Sequence, residues 1–222
     1  MKRLVIVRHG NTFTPEQIPT RAGAKTDIPL VEEIRSRNAG KYLINNNIIP
    51  DKVYAAPLKR TMRTAELIID EMNLNTGVIA DNDFTEIDYG EDENKTEEQV
   101  KYRLGMEYVK SHQLTDVDKD EIPNYGNAVI ELWNSHAIVP PGWKVDVDRI
   151  IVSWKNFANR IGNNETALIC TSNGIIRFAP HIMDALSITE FHNTHKLKVS
   201  TGSVSIFENN GNGWKCTEWN GL

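Results

Sequence analysis

Short apolar runs rich in β-branched residues alternate with longer stretches whose apolar positions recur every three or four residues. The runs predict strands at Arg3 to Val7, Lys52 to Ala55, Thr76 to Ala80, Ala167 to Thr171 and Val204 to Glu208. Between them the spacing predicts helices at Leu30 to Asn45 and at Leu58 to Met72, the latter with Met62, Ala65 and Ile69 on one face. A third helix is expected over Asp146 to Ile161, with Ile150, Trp154 and Phe157 inward. A fourth is expected over Ile175 to Leu186, disturbed at Pro180. Strands alternating with helices predict an α/β fold: a three-layer sandwich with a mainly parallel central sheet and helices on both faces.

The stretch from about Glu91 to Pro141 breaks this rhythm. It opens acidic, turns amphipathic around Val100 to Val109, and is polar before Ala128 to Ile138. We read it as a mostly helical insertion, at about 91–141, in a single domain spanning 1–222, placed to form a lid. Thr96 and Gln99 have the spacing of a capping box. The acids Glu91, Asp92, Glu93, Glu97 and Glu98 are expected to be a solvated helix start, because acids favour a first turn.

Composition narrows the function. The 222 residues are 40% hydrophobic and 25% charged, the ordinary globular range. The 25 Lys and Arg against 30 Asp and Glu leave a net charge of -5, which opposes non-specific attraction to nucleic acid or an anionic membrane. No run approaches the roughly 18 apolar residues of a membrane span. Two cysteines, Cys170 and Cys216, have no metal-ligand spacing and are too few for a disulfide framework, so a cytoplasmic location is expected. His192 and His195, with His181 nearby, sit among lysines without a carboxylate cluster and are expected to be solvated rather than metal-bound.

Candidate chemistry lies at strand ends. Arg8-His9-Gly10 follows the first strand directly, at the edge where open α/β sheets bind ligands. A histidine there can act as a nucleophile towards phosphorus while the guanidinium forks onto phosphoryl oxygens. A second segment, Ala56-Pro57-Leu58-Lys59-Arg60-Thr61-Met62-Arg63-Thr64-Ala65, again follows a strand. Further on come Glu86-Ile87-Asp88-Tyr89-Gly90-Glu91 and Thr171-Ser172-Asn173-Gly174-Ile175-Ile176-Arg177, with Asp27-Ile28-Pro29-Leu30 before the first helix. In this order the segments resemble the histidine phosphatase superfamily, also called the phosphoglycerate-mutase-like family, from residue 3 to residue 177.

The resemblance implies a mechanism and its residues. His9 is the nucleophile that becomes transiently phosphorylated, so its attacking nitrogen must be unprotonated. Arg8 and Arg60 match the phosphate-holding arginines, and Glu86 matches the proton donor that later activates water. Asn11 and Arg21 fall where members contact substrate, and Gly174 belongs to the last motif beside them. Arg63 and Arg177 lie in matched motifs and also suit structural roles. No metal or organic cofactor is implied, and the expected partner is a small phosphorylated substrate.

Several positions depart from the pattern. Asn173 stands where the family carries its second histidine; an amide can donate a hydrogen bond but carries no proton charge. Ala56 replaces a usual Ser, Thr61 a usual Ala, and Ile34 a frequent Gly. The expected activity is phosphohydrolysis of phosphomonoesters through phosphohistidine on His9. The alternative at Asn173 is a weakened or inactive phospholigand-binding protein, natural or deliberately changed from His. A phosphoglycerate mutase ranks lower, because Asn11 to Pro15 lacks that branch's S-x-W-N pattern and Pro140-Pro141 lacks its Arg-Arg-Ser run. Trp133, His136 and Trp143 are expected either to line the lid or to pack it onto the body, and the insertion as a whole is expected to set substrate identity.

Overall fold

The apolar run of the first strand serves two cores at once. Leu4 and Ile6 pack into a cluster of 28 buried residues on one face of the sheet, Val5 and Val7 into a cluster of 14 on the other. A strand covered on both faces is continuously apolar rather than alternating. The computed structural model describes residues 1–222, with β1 (Lys2–Arg8), β2 (Lys52–Ala55), β3 (Val78–Ala80), β4 (Thr166–Thr171), β5 (Val204–Asn209) and β6 (Trp214–Gly221). They form one sheet in the order β3-β2-β4-β1-β5-β6. β1, β2, β3 and β4 pair in parallel, with Val5 beside Leu168, while β5 runs antiparallel to both β1 and β6.

Helices cover both faces. α1 (Ile34–Asn45) and α2 (Lys59–Met72) bury Ala39, Leu43, Ala65 and Ile68 on the Val5/Val7 side. The α1 helix starts at Ile34 rather than Leu30, because the segment around Pro29 runs non-helically ahead of it. Leu58 cannot cap α2 with its own side chain; instead Asp27 Oδ1 accepts the Lys59 N–H at 2.7 Å.

The opposite face carries the insertion and α5 (Val147–Arg160), whose Ile150, Trp154 and Phe157 are buried. The insertion is a helical hairpin, α3 (Glu97–Ser111) and α4 (Ile122–His136), and the Thr96/Gln99 capping box is formed. Its helices approach almost backbone to backbone: a Cβ on Gly105 would lie 1.9 Å from the Ile122 carbonyl oxygen, and one on Gly126 1.8 Å from that of Lys101. Val100, Leu104, Ile130 and Trp133 fasten the hairpin to the larger core.

Three further expectations change. The single helix over Ile175 to Leu186 is instead α6 (Asn173–Ile176), a 3-10 turn with Pro180 in its first turn, and α7 (Ala185–Thr194) capped by Asp184. The acids are not all solvated. Asp92 is buried, bonded to Arg103 and, at 2.7 Å, to Trp143 Nε1; Glu93 accepts from Gly23 N, Lys25 N and Thr26 Oγ1. Of the three histidines expected to be solvated, only His195 is exposed. His181 and His192 are partly buried with ring centroids 5.9 Å apart, and burial lowers the pKa of both. No group of three or more His, Cys, Asp or Glu side chains is arranged to hold a metal, and no helix is long and apolar enough to cross a membrane.

Candidate active site

Parallel β1, β2 and β4 end on the same edge of the sheet, so the residues that follow them converge. Arg8 ends β1 and His9 follows it, Arg60 lies in the first turn of α2 just after β2, and Asn173 opens α6 just after β4. With Asn11, Arg21 and Glu86, the residues Arg8, His9 and Asn173 line a cleft of about 450 Å³. A more open groove of about 730 Å³ lies over Glu91 to Arg103 but contains no nucleophile beside a cation cluster, so the chemistry selects the smaller cleft.

His9 is oriented by its own backbone. Its Nδ1 lies 2.8 Å from the Gly10 carbonyl oxygen, which can only accept, so Nδ1 carries the proton and Nε2 keeps its lone pair. Burial, then the charges of Arg60 and Arg8, push its pKa well below the ordinary histidine value. Glu86 is moved the other way. Burial raises its pKa against the opposing pull of the Ile87 and Gly174 N–H groups, at 2.9 and 3.4 Å, and of Arg60 and Arg177. A histidine biased towards its neutral form and a carboxyl biased towards its protonated form thus face one cleft, the division of labour that proton-coupled group transfer needs.

The cations are held by carbonyls. Arg8 donates through Nη1 to Val199 O. Arg60 donates to Thr26 O at 2.7 Å, Ala22 O at 3.1 Å and Gly23 O at 3.2 Å. Arg177 donates to Trp133 O and lies over the Trp133 ring at 3.7 Å; burial lowers its pKa to about 10, which leaves it cationic near neutrality. Buried N–H groups on Arg8, Arg21, Arg60 and Arg177 have no partner in the chain. Unpaired buried donors of one sign suit an anion.

The expected site residues divide. His9, Arg8, Glu86, Asn173, Asn11 and Arg21 meet in the cleft. Arg60 lies fully buried behind it, close enough to act on His9 through its charge. Gly174, expected against substrate, does not line the cleft: its N–H is turned to Glu86 Oε2, and a Cβ there would lie 2.3 Å from Glu86 Oε1. Asn173 Oδ1 accepts the Val199 N–H at 2.9 Å, which fixes the amide and leaves Nδ2 as a neutral donor. Arg63 is exposed and paired with Glu33 and Glu66, a surface role. Trp133 lines the cleft, Trp143 packs against Tyr89 and Trp133, and His136 lies away from the cleft at the end of α4. Lys198, Thr201, Tyr89, Asn134 and Glu97 also line the cleft, although no sequence feature assigns them to the site. Only Tyr89, three residues after Glu86, had a local signal.

An α/β sandwich with an unprotonated histidine among arginines at its strand ends defines a phosphoryl-transfer class. Residues 4–221 match the histidine phosphatase superfamily (branch 1), and the chain belongs to that family. It is 30% identical over 214 residues to the 2,3-bisphosphoglycerate-dependent phosphoglycerate mutase of Corynebacterium efficiens, covering 93% of this chain and 84% of that protein. Against an uncharacterized phosphatase of Bacillus subtilis the identity is 36% over 95 residues, covering 42% and 46% of the two chains. Among solved structures, the fold is shared with the phosphoglycerate mutase of Bacillus anthracis (TM-score 0.72, 16% identity, 99% and 93% coverage). It is shared too with a mycobacterial glucosyl-3-phosphoglycerate phosphatase in complex with VO3 (TM-score 0.67, 16% identity, 100% of both chains).

Proposed function

We propose that the chain is a metal-independent phosphohydrolase that cleaves phosphomonoesters through a phosphohistidine on His9. The observation that carries this reading is the pairing of His9, whose Nδ1 faces the Gly10 carbonyl and whose Nε2 is left free, with Glu86, whose pKa burial raises, in one arginine-flanked cleft. Nε2 attacks phosphorus as the bond to the leaving oxygen breaks, and Glu86 supplies that oxygen with a proton. Glu86, now a carboxylate, takes a proton from water whose oxygen attacks the phosphohistidine. The P–N bond breaks, and phosphate leaves with His9 restored. Arg8 and Arg60 offset charge on the transferring group, and Asn173 Nδ2 donates where the resemblance places a second histidine.

The test is phosphate release from a panel of phosphomonoesters between about pH 5 and pH 8 in excess chelator, with the unaltered chain, His9→Ala and Asn173→His. Turnover by the unaltered chain that is lost in His9→Ala supports the reading. Turnover only in Asn173→His makes the chain a phospholigand-binding protein, and turnover unaffected by His9→Ala removes the phosphohistidine.

A second reading, mutase activity, is favoured by the names of near full-length relatives. It requires interconversion of 2- and 3-phosphoglycerate that depends on added 2,3-bisphosphoglycerate and outruns phosphate release.

A further inference from the structure

We infer that Glu97, at the start of the insertion's α3, sets the leaving-group preference of the cleft, selecting esters of neutral hydroxylated alcohols over esters whose alcohol carries a carboxylate. The inference rests on the reading of the cleft as a phosphomonoester site.

Glu97 lines the same cleft as His9, with its side chain 53% exposed. Its Oε2 lies 2.8 Å from Arg21 Nη2, so the outer cation of the cleft already has a carboxylate partner. Neither group is free to drift. Arg21 is only 15% exposed, with its guanidinium 4.8 Å from the Trp143 ring and 5.5 Å from that of Tyr89. The two backbones are tied by Arg21 N to Lys95 O at 3.0 Å, Asn94 N to Arg21 O at 2.9 Å and a bridge between Thr20 and Thr96.

The rest of the outer wall is uncharged: Phe13, Ile130, Trp133 and Asn134. The remaining cleft cation, Lys198, precedes Val199, whose peptide anchors Arg8 and Asn173, so its backbone sits beside the phosphoryl end. A carboxylate on the leaving alcohol that reaches Arg21 therefore meets Glu97 already beside it, and like charges brought together repel. A hydroxyl in the same place can donate to Glu97 or accept from the Asn134 amide.

Glycerol 3-phosphate and 3-phosphoglycerate differ by one hydroxymethyl against one carboxylate, and their binding isolates this term. Titration calorimetry uses His9→Ala, which leaves the esters intact, with and without Glu97→Gln. We expect His9→Ala to bind glycerol 3-phosphate more tightly, and Glu97→Gln to shift the ratio of dissociation constants towards 3-phosphoglycerate by roughly five- to tenfold. Equal or tighter binding of 3-phosphoglycerate to His9→Ala, a ratio unmoved by Glu97→Gln, or no binding of either ester overturns the inference. Glu97 is half exposed at a helix start, so loss of folding is not expected, and a thermal melt checks it. Turnover of glycerol 3-phosphate by the unaltered chain reports on phosphohydrolase activity separately.

Discussion

Gly174→Ala isolates the acid function of Glu86. Gly174 is not in the left-handed region, so alanine adds no backbone strain there, and the whole effect is the new methyl group. That Cβ would lie 2.3 Å from Glu86 Oε1 and 2.9 Å from Ile87 Cγ1, where ordinary contact begins at 3.4 Å. The carboxyl must therefore retreat by about 1 Å, a displacement that typically costs about 10²-fold in rate. Overpacking adds about 1–3 kcal/mol of destabilisation, read as a lower thermal midpoint. The assay compares kcat/KM, which reports on the step that phosphorylates His9, for glycerol 3-phosphate and for p-nitrophenyl phosphate. The alkoxide must be protonated as it leaves, whereas p-nitrophenolate departs without help. We expect about a hundredfold loss for the alkyl ester and a far smaller loss for the aryl ester. An equal loss for both esters, or none for either, refutes Glu86 as the acid.

Further expectations follow from the same geometry. His9, with a lowered pKa, keeps its nucleophilic neutral form until the pH falls into the acid range. Glu86, with a raised pKa, keeps its proton at low pH and loses it as the pH rises through that raised value. The profile of kcat/KM for alkyl esters is thus a bell, and with p-nitrophenyl phosphate Glu86→Gln should show no alkaline limb from this group; a persisting limb assigns it elsewhere. Asn173→His should raise kcat, by up to about 10²–10³ if a charged donor replaces a neutral one, and unchanged kinetics would show that the amide suffices. Gly126→Val places branched carbon against the Lys101 carbonyl oxygen, at 1.8 Å from the Cβ position, and should both lower the thermal midpoint and raise KM, since α4 supplies Trp133 and Asn134 to the cleft. Asp92→Ala strands Arg103 and the Trp143 N–H and should cost about 3 kcal/mol in denaturant unfolding, near the low end for a buried pair because Arg103 is 23% exposed.

Legibility followed local physics. β1 and β4 were readable because both of their faces are buried. β6 was not, because it is an edge strand in which Lys215, Thr217, Glu218 and Asn220 break up the apolar pattern. The helix expected over Ile175 to Leu186 failed because Pro180 and the Asp184 cap restart the chain there. In the site, the residues carried by contiguous motifs were found together. Asn134 and Lys198 reach the cleft from segments with no signature of their own, and Glu97 from a capped helix start whose acids signal a first turn rather than a site. Asp92 and Glu93 were misread because sequence shows their charge but not their distant partners, Arg103 and the Gly23 to Thr26 loop.

Those partners separate the arginines into two kinds. Arg103, Arg63 and Arg21 meet carboxylates, so their charge is offset within the chain. Arg8, Arg60 and Arg177 are steered by carbonyl oxygens, which fix direction while leaving a full positive charge in place. Only an uncompensated cation can hold down the pKa of His9 or take up the charge of a transferring phosphoryl group. On this ground Arg60 is expected to contribute to the chemistry although it does not line the cleft. Arg21 lines the cleft with Nη2 paired to Glu97 and its buried Nε unpartnered. A chain of net charge -5 thereby keeps a cationic centre at the strand ends, with the charge of Arg21 beside it offset by Glu97.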